Sequence, residues 1–262
     1  MLLKFNSSRV EITSVPIVLP NLADVFNGFR LVQLSDFHLG TWLNAQDLFN
    51  IVELVNQQKP ELIAITGDFV SFEPAKFSSD LIRILSGFDA KDGVIAVLGN
   101  HDHYTDASLI RTVLEQSGII ELGNKIYPVR RDSSQLIFAG VDDHMTRHAD
   151  LERVIKQIPD SNDPVILLAH EPDFADISAA TGRFDMQISG HTHGGQICLP
   201  FYGNLYLPRY GRKYPSGKYM VENMVQYTNR GLGTSWLKFR INCPPEITVF
   251  HLRNEAGDQS RE

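Results

Sequence analysis

Side chains that bind metal ions gather in five short blocks of this sequence. The blocks are Asp36-Phe37-His38, Gly67-Asp68, Gly99-Asn100-His101-Asp102, His170 and Gly190-His191-Thr192-His193. Imidazole, carboxylate and amide donors in one mixed set suit divalent Zn, Mn, Fe or Ni better than Ca or Mg. The candidate metal ligands are therefore Asp36, His38, Asp68, Asn100, His170, His191 and His193.

A donor set of this size is large enough for two ions if the ions share one carboxylate. Two divalent ions about 3.5–4 Å apart hold the attacking and leaving oxygens of a phosphoryl displacement in place. They also lower the pKa of a bound water toward about 7, so that hydroxide is present at neutral pH. The donor set thus points to hydrolysis at phosphorus, provided that the fold brings the blocks together.

Each block follows an apolar run that predicts a buried strand, at residues 29–34, 62–66, 93–98, 165–168 and 186–189. After the first three strands, apolar residues recur at helical spacing, which predicts helices around residues 43–55, 77–85 and 109–114. This βαβαβα order is typical of a mostly parallel sheet with both faces covered. The carboxyl ends of such strands are where α/β proteins place their chemistry.

The middle of the chain predicts a second sheet. We expect short strands at residues 119–122, 125–129 and 136–140, helices at 150–158 and 174–181, and closing strands at 225–228 and 247–252. Residues 9–12 alternate like an edge strand, and Pro16 and Pro20 are expected to break the segment after it. Residues 194–219 form a long connection rich in aromatic and basic side chains, which is typical of a functional loop.

The composition is that of a soluble globular protein. The chain has 262 residues, 43% of them apolar and 21% charged, and a formal net charge of −7, which disfavours a surface that coats nucleic acid. No run reaches the roughly 20 apolar residues of a membrane span. Two isolated cysteines, Cys198 and Cys243, fit free thiols in a cytoplasmic protein, and peripheral contact with a membrane stays open. We expect one domain over residues 1–262, with a lead-in at 1–28 and a polar tail at 254–262.

At the five blocks the sequence resembles the calcineurin-like metallophosphoesterase superfamily, whose motifs occur here in order from Asp36 to His193. Residues 194–196, 230–235 and 242–247 are further similar to the bacterial branch that contains the YkuE and YaeI phosphodiesterases. The resemblance implies a four-layer α/β/β/α sandwich of two mixed sheets flanked by helices. It also implies two divalent transition-metal ions (Mn, Zn, Fe or Ni) and a phosphate-ester substrate, either a small molecule or lipid-linked.

The same resemblance implies a role for each block. One ion would be bound by Asp36, His38 and His193, the other by Asn100, His170 and His191, and Asp68 would bridge them. A metal-bridging hydroxide would attack a phosphodiester in line. His101 would face the substrate and protonate the leaving group, and Asp102 would hold the His101 ring.

Other functions stay open. Within the hydrolase class they are a pyrophosphatase acting on a nucleotide-diphospho-lipid precursor such as UDP-diacylglucosamine, a phosphomonoesterase and a cyclic-nucleotide phosphodiesterase. Outside it, the same fold can serve as a catalytically silent metal-binding scaffold. The candidate substrate contacts are His103, Arg209, Arg212 and Lys213. The alternative is that these side chains pack against the protein or are only solvated.

Overall fold

The computed structural model describes residues 9–235 and 237–255. Its first half contains β1 (Glu11–Val18), β2 (Phe29–Leu34), α1 (Ala45–Asn56), β3 (Leu62–Thr66), α2 (Pro74–Leu85), β4 (Val94–Val97), α3 (Asn100–Thr105), α4 (Ala107–Gln116) and β5 (Ile120–Glu121). Its second half contains β6 (Lys125–Arg131), β7 (Ser134–Gly140), α5 (Leu151–Ile155), β8 (Val165–Leu168), α6 (Ala175–Ala179), β9 (Met186–Ser189), β10 (Cys198–Leu199), β11 (Gly203–Asn204), β12 (Gly217–Val221), β13 (Met224–Thr228) and β14 (Glu246–Arg253).

The strands form two mixed six-stranded sheets and one short hairpin. The first sheet has the order β1-β14-β2-β3-β4-β5, in which β2 to β5 are parallel and β14 runs antiparallel to β2. The second has the order β12-β13-β9-β8-β7-β6, with antiparallel pairs at both edges. The hairpin is β10-β11.

Three apolar layers separate four layers of secondary structure. In β3, Ile63 and Ile65 face α1, α2 and α4, whereas Leu62 and Ala64 face the second sheet, as the two-residue period of a strand requires. A third apolar cluster packs β7 and β8 against α5 and α6, through residues such as Leu167. The predicted α/β/β/α sandwich is therefore confirmed.

Helices α1, α4 and α5 begin at a side chain that caps them. At α1 the Asn44 side chain accepts the Asp47 N–H while the Asp47 side chain accepts the Asn44 N–H. Asp106 and Asp150 accept backbone N–H groups at the starts of α4 and α5. None of the helices in the described part of the chain has the length and apolar character that crossing a bilayer requires.

The structure differs from the sequence prediction at β5, β1 and α3, and residues 194–219, expected as a long connection, contain β10, β11 and the start of β12. The segment 119–122 was expected in the second sheet, but β5 pairs with β4 in the first, because it follows α4 directly and extends the parallel order. Pro16 does not end the first strand: β1 lies at the edge of its sheet, where a residue without an N–H is tolerated. The lead-in thus contains a full strand. Helix α3 was not predicted, since its six residues have no periodic apolar face.

Candidate metal centre

The five blocks lie at the carboxyl ends of strands that are neighbours in the two sheets. Asp36 and His38 follow β2, Asp68 follows β3, and Asn100 begins α3 directly after β4. In the second sheet, His170 follows β8 and the block from His191 to His193 follows β9. The carboxyl ends of these strands, from both sheets, therefore face the same region of the protein. Backbone hydrogen bonds join the segments that follow the strands, such as the one from Asp36 N–H to Gly67 O (2.9 Å).

Asp36, His38 and His193 form the first donor cluster. The Nε2 atoms of His38 and His193 are 3.0 Å apart, and His193 Nε2 lies 3.4 Å from Asp36 Oδ1. All three side chains are buried. Ring nitrogens that face each other and a carboxylate at such distances converge on a single point, which is the arrangement a cation requires.

A second donor cluster contains Asn100, His170 and His191. His170 Nε2 lies 3.2 Å from Asn100 Oδ1 and 3.2 Å from His191 Nδ1. Between the clusters, Asp68 Oδ2 is 3.4 Å from His38 Nε2 and 3.3 Å from His170 Nε2. One oxygen atom of Asp68 is thus equally close to both groups of donors.

The backbone of the metal-binding blocks adopts the left-handed region at five residues that are not glycine. These are Asp36 (φ 53°), His38 (45°), Asp68 (60°), His191 (69°) and His193 (53°). Each such conformation costs on the order of 1–3 kcal/mol and persists where surrounding structure enforces it. The left-handed turns explain how side chains two positions apart, just beyond a strand end, come to face the same cluster.

Two glycines allow the segments to approach each other. A Cβ at Gly99 would collide with the Asp68 carboxylate and the His170 ring, and a Cβ at Gly190 would collide with Ser35 and Asp36. The glycines beside the ligand residues therefore leave room for the donor side chains and take no part in metal binding themselves.

Hydrogen bonds fix which ring nitrogen each histidine presents. His170 Nδ1–H donates to Thr66 O (2.6 Å), and His191 Nε2–H donates to Arg209 O (2.8 Å), so the opposite nitrogen of each ring is the one that faces the cluster. His38 Nδ1 is similarly bonded to Ser71 Oγ (2.6 Å). The donor chemistry fits divalent transition metals. No sequence signal pointed to Ser71 or to the backbone oxygens, because hydroxyl and carbonyl partners are set by the fold.

Arg240 contacts His193 on the side of the ring opposite the donor nitrogen. Its half-buried guanidinium donates to Gly233 O (2.6 Å), Gly231 O (3.1 Å) and His193 O (3.3 Å), and its Nη2 lies 3.3 Å from His193 Nδ1. These contacts tie the segment after β13 to a ligand after β9, so Arg240 acts on the centre through His193.

Burial shapes the charges at the centre. It lowers the pKa of His38 to about 3 and of His191 to about 4, and it raises the pKa of Asp36 to about 6. For Asp68 burial acts upward, but the neighbouring His170 holds the pKa of this carboxyl well below its usual value. His38 and His191 are therefore uncharged at neutral pH. For His170, burial acts downward, but Asp68 holds the pKa of its imidazole well above the usual value. An ion bound there would have to displace this proton, because metal binding requires the neutral ring.

His101 and Asp102, which follow the ligand Asn100, contact different parts of the site. The His101 ring lies edge-on to the His38 ring, with centroids 4.8 Å apart, and faces the cavity. The buried Asp102 carboxylate accepts the backbone N–H groups of Asp68, Phe69 and Gly99 at 2.9–3.0 Å. Its oxygens are therefore occupied by the loop after β3 and the start of α3, not by the His101 ring as the resemblance had implied.

A cavity of about 610 Å³ opens beside the donors. Its wall includes Asp68, Asn100, His101, His191 and His193 together with Phe72, Tyr104, Met145, Tyr206 and Pro208. The predicted substrate contacts have other partners. His103 Nε2 lies 2.7 Å from Asp142 Oδ1, and Lys213 Nζ lies 2.6 Å from Asp176 Oδ1. Arg209 and Arg212 are exposed and lie outside the residues that form the cavity wall.

Comparison with known proteins gives consistent matches. The model of the calcineurin-like phosphoesterase family matches residues 29–195. The chain is 36% identical to the uncharacterized metallophosphoesterase YkuE of Bacillus subtilis over 232 residues, covering 87% of this chain and 80% of the relative. It is 29% identical to the phosphodiesterase YaeI of Escherichia coli over 229 residues, covering 86% and 82%.

Solved structures add a likeness of fold. The NAD nucleotidase NadN of Haemophilus influenzae matches with a TM-score of 0.51 at 13% identity, over 78% of this chain and 45% of that chain. At such low identity, the match concerns the architecture alone.

Proposed function

Since the chain belongs to the calcineurin-like phosphoesterase family and is a metal-dependent phosphoester hydrolase, we propose that it hydrolyses phosphodiesters with two divalent ions. One ion would be held by Asp36, His38 and His193, the other by Asn100, His170 and His191, with Asp68 bridging. The observation that carries the proposal is the position of Asp68 Oδ2, within 3.4 Å of a ligand nitrogen in each cluster. The name of the relative YaeI, a phosphodiesterase, supports the preference for diesters.

The ions would supply a water of lowered pKa and withdraw charge from the phosphoryl oxygens. The protein supplies position and electrostatics, which dominate catalysis of phosphoryl transfer. The five left-handed residues, Asp68 among them, hold the donor side chains in place. Little reorganisation of these side chains is then needed when the substrate enters.

His101 is our candidate for the group that acts on the leaving oxygen. It lies in the cavity wall beside Asp68, and its own backbone N–H donates to Asp68 Oδ1 (2.9 Å), which couples its position to the bridging carboxylate. We assign it proton donation to the departing alcohol. The apolar walls formed by Phe72, Tyr104 and Tyr206 would reduce access of bulk water to the phosphoryl group.

A substrate panel with metal analysis tests the proposal. The metal-stripped protein, reloaded with Mn²⁺, is assayed on bis-nitrophenyl phosphate, nitrophenyl phosphate, a cyclic nucleotide and a nucleotide-diphospho sugar. We expect the diester to turn over fastest and EDTA to abolish turnover. Preference for the monoester, the cyclic nucleotide or the pyrophosphate would replace the diester assignment. No turnover of any substrate by protein that retains metal would support a silent scaffold.

A further inference from the structure

An apolar tip projects from the protein next to the metal centre. The turn between β10 and β11 carries Phe201, which is fully exposed, and Tyr202, which is 85% exposed, and Leu205 lies just beyond β11 and is also exposed. The hairpin base is anchored, because Cys198 N–H donates to Ile241 O (2.9 Å) and Leu205 N–H donates to Ile197 O (3.1 Å). An ordered base that presents large apolar side chains to solvent is typical of an interaction site.

The tip adjoins the mouth of the cavity. Tyr206, one residue beyond Leu205, is exposed and also lines the cavity, as do the exposed side chains of Phe72 and Tyr104. The base of the hairpin lies against Gly195, two residues beyond the ligand His193, since a Cβ at Gly195 would meet the Asn204 side chain. The apolar tip and the rim of the site therefore belong to one face of the protein.

The segment that contains the tip has a formal charge opposite in sign to that of the whole chain. The segment from 186 to 221 contains four Lys or Arg residues and no Asp or Glu, in a chain of net charge −7. Lys213 is paired with Asp176, which reduces its effect, but Arg209 and Arg212 are exposed. Exposed basic side chains on the same segment as an apolar tip match the anionic headgroups of a lipid surface.

We propose that this tip docks the protein on an anionic lipid bilayer, with Phe201 and Tyr202 entering the interfacial layer and Arg209 and Arg212 contacting headgroups. Aromatic side chains with a polar edge prefer this layer. A specific protein partner is the weaker fit, because a stable interface needs about 800 Å² from each side, whereas Phe201 and Tyr202 together supply roughly 300–500 Å². The docking does not depend on which phosphoester is cleaved.

The test is co-sedimentation of the full chain with vesicles made of equal parts phosphatidylcholine and phosphatidylglycerol. We expect binding that weakens in pure phosphatidylcholine and at high salt. The double variant Phe201→Ala/Tyr202→Ala should lower the partition coefficient about tenfold or more, as loss of two buried aromatic side chains implies. The matched control is Phe49→Ala, which removes a partly exposed aromatic ring from α1 and should leave binding unchanged.

Other outcomes overturn the docking. One is a wild-type protein that does not sediment with anionic vesicles; another is a double variant that binds as tightly as wild type. A concentration-dependent dimer that the double variant abolishes would assign the tip to a second copy of the chain instead. Hydrolysis of a soluble diester is measured in parallel and should be unchanged in the double variant, so failure of docking and failure of the proposed reaction are read separately.

Discussion

Asp68 is the side chain on which both donor clusters depend, because one of its oxygens is within 3.4 Å of a ligand nitrogen in each. Asp68→Ala should therefore lose both ions and essentially all turnover, rather than half of each. Metal content by mass spectrometry after reloading with Mn²⁺ measures this. Asp80→Ala, which removes an exposed carboxylate of α2, is the control. A metal ratio near that of wild type in Asp68→Ala would exclude the bridging role.

His101 is predicted to act on the substrate and not on the metals. His101→Ala should retain both ions but lose rate by roughly 10²–10⁴-fold, the contribution typical of a general acid. The loss should be larger for alkyl diesters, whose leaving groups need a proton, than for nitrophenyl esters. The check is a comparison of kcat/KM on the two substrate types, and equal losses would argue against leaving-group protonation.

At the scale of elements, Asp102 connects two strand ends to one helix. Its carboxylate accepts three backbone N–H groups from the loop after β3 and the start of α3. Asp102→Asn keeps the shape but replaces one acceptor oxygen with a donor, which should lower the free energy of unfolding by about 2–4 kcal/mol. Chemical denaturation of the metal-free variant measures the change; stability within experimental error of wild type would contradict this connecting role.

A polar cluster away from the metal centre joins α3, α4 and the segment after β7. It consists of His103, Arg111 and Asp142, and its carboxyl group has a shifted pKa. Burial would raise the pKa of Asp142, but hydrogen bonds from His103 and a backbone N–H, together with Arg111, hold it below its usual value. A lowered folded-state pKa contributes stability above the ordinary aspartate range, and this contribution is lost as the pH falls through the folded pKa.

The stability difference between wild type and Asp142→Asn should therefore be full at pH 7 and shrink as the pH is lowered below about 4. Urea denaturation of metal-free protein at a series of pH values measures it. A difference that grows on acidification would show that Asp142 is not held ionised by this cluster.

Elements with strong periodic patterns could be predicted from sequence, and those without them could not. The strands 62–66, 165–168 and 186–189 have the predicted bounds, because each is a continuous apolar run in a covered sheet. β5 was assigned to the wrong sheet because two residues carry no signal for their pairing partner. The predicted gathering of ligand residues at strand ends agrees with the geometry, whereas the contacts of Asp102, Arg209 and Lys213 depend on loops whose paths no pattern encodes.

At the scale of the whole molecule, the centre exists because two sheets meet along a packed apolar layer. Gln33 from β2 donates to Ser189 O at the end of β9 (2.9 Å) and to Thr66 Oγ1 at the end of β3 (3.1 Å), which fixes the two sheets relative to each other near the donors. Each donor cluster contains residues from both sheets. The metal site is thus a property of the sandwich and not of either sheet alone.

The central claim is that side chains from both sheets hold two cations that share Asp68. A crystal structure of the Mn²⁺-loaded protein, with the ions located by anomalous scattering, tests it most directly. The account predicts two peaks about 3.5–4 Å apart, with one Asp68 oxygen touching both. A single peak, or two ions with Asp68 turned away from either of them, would contradict it.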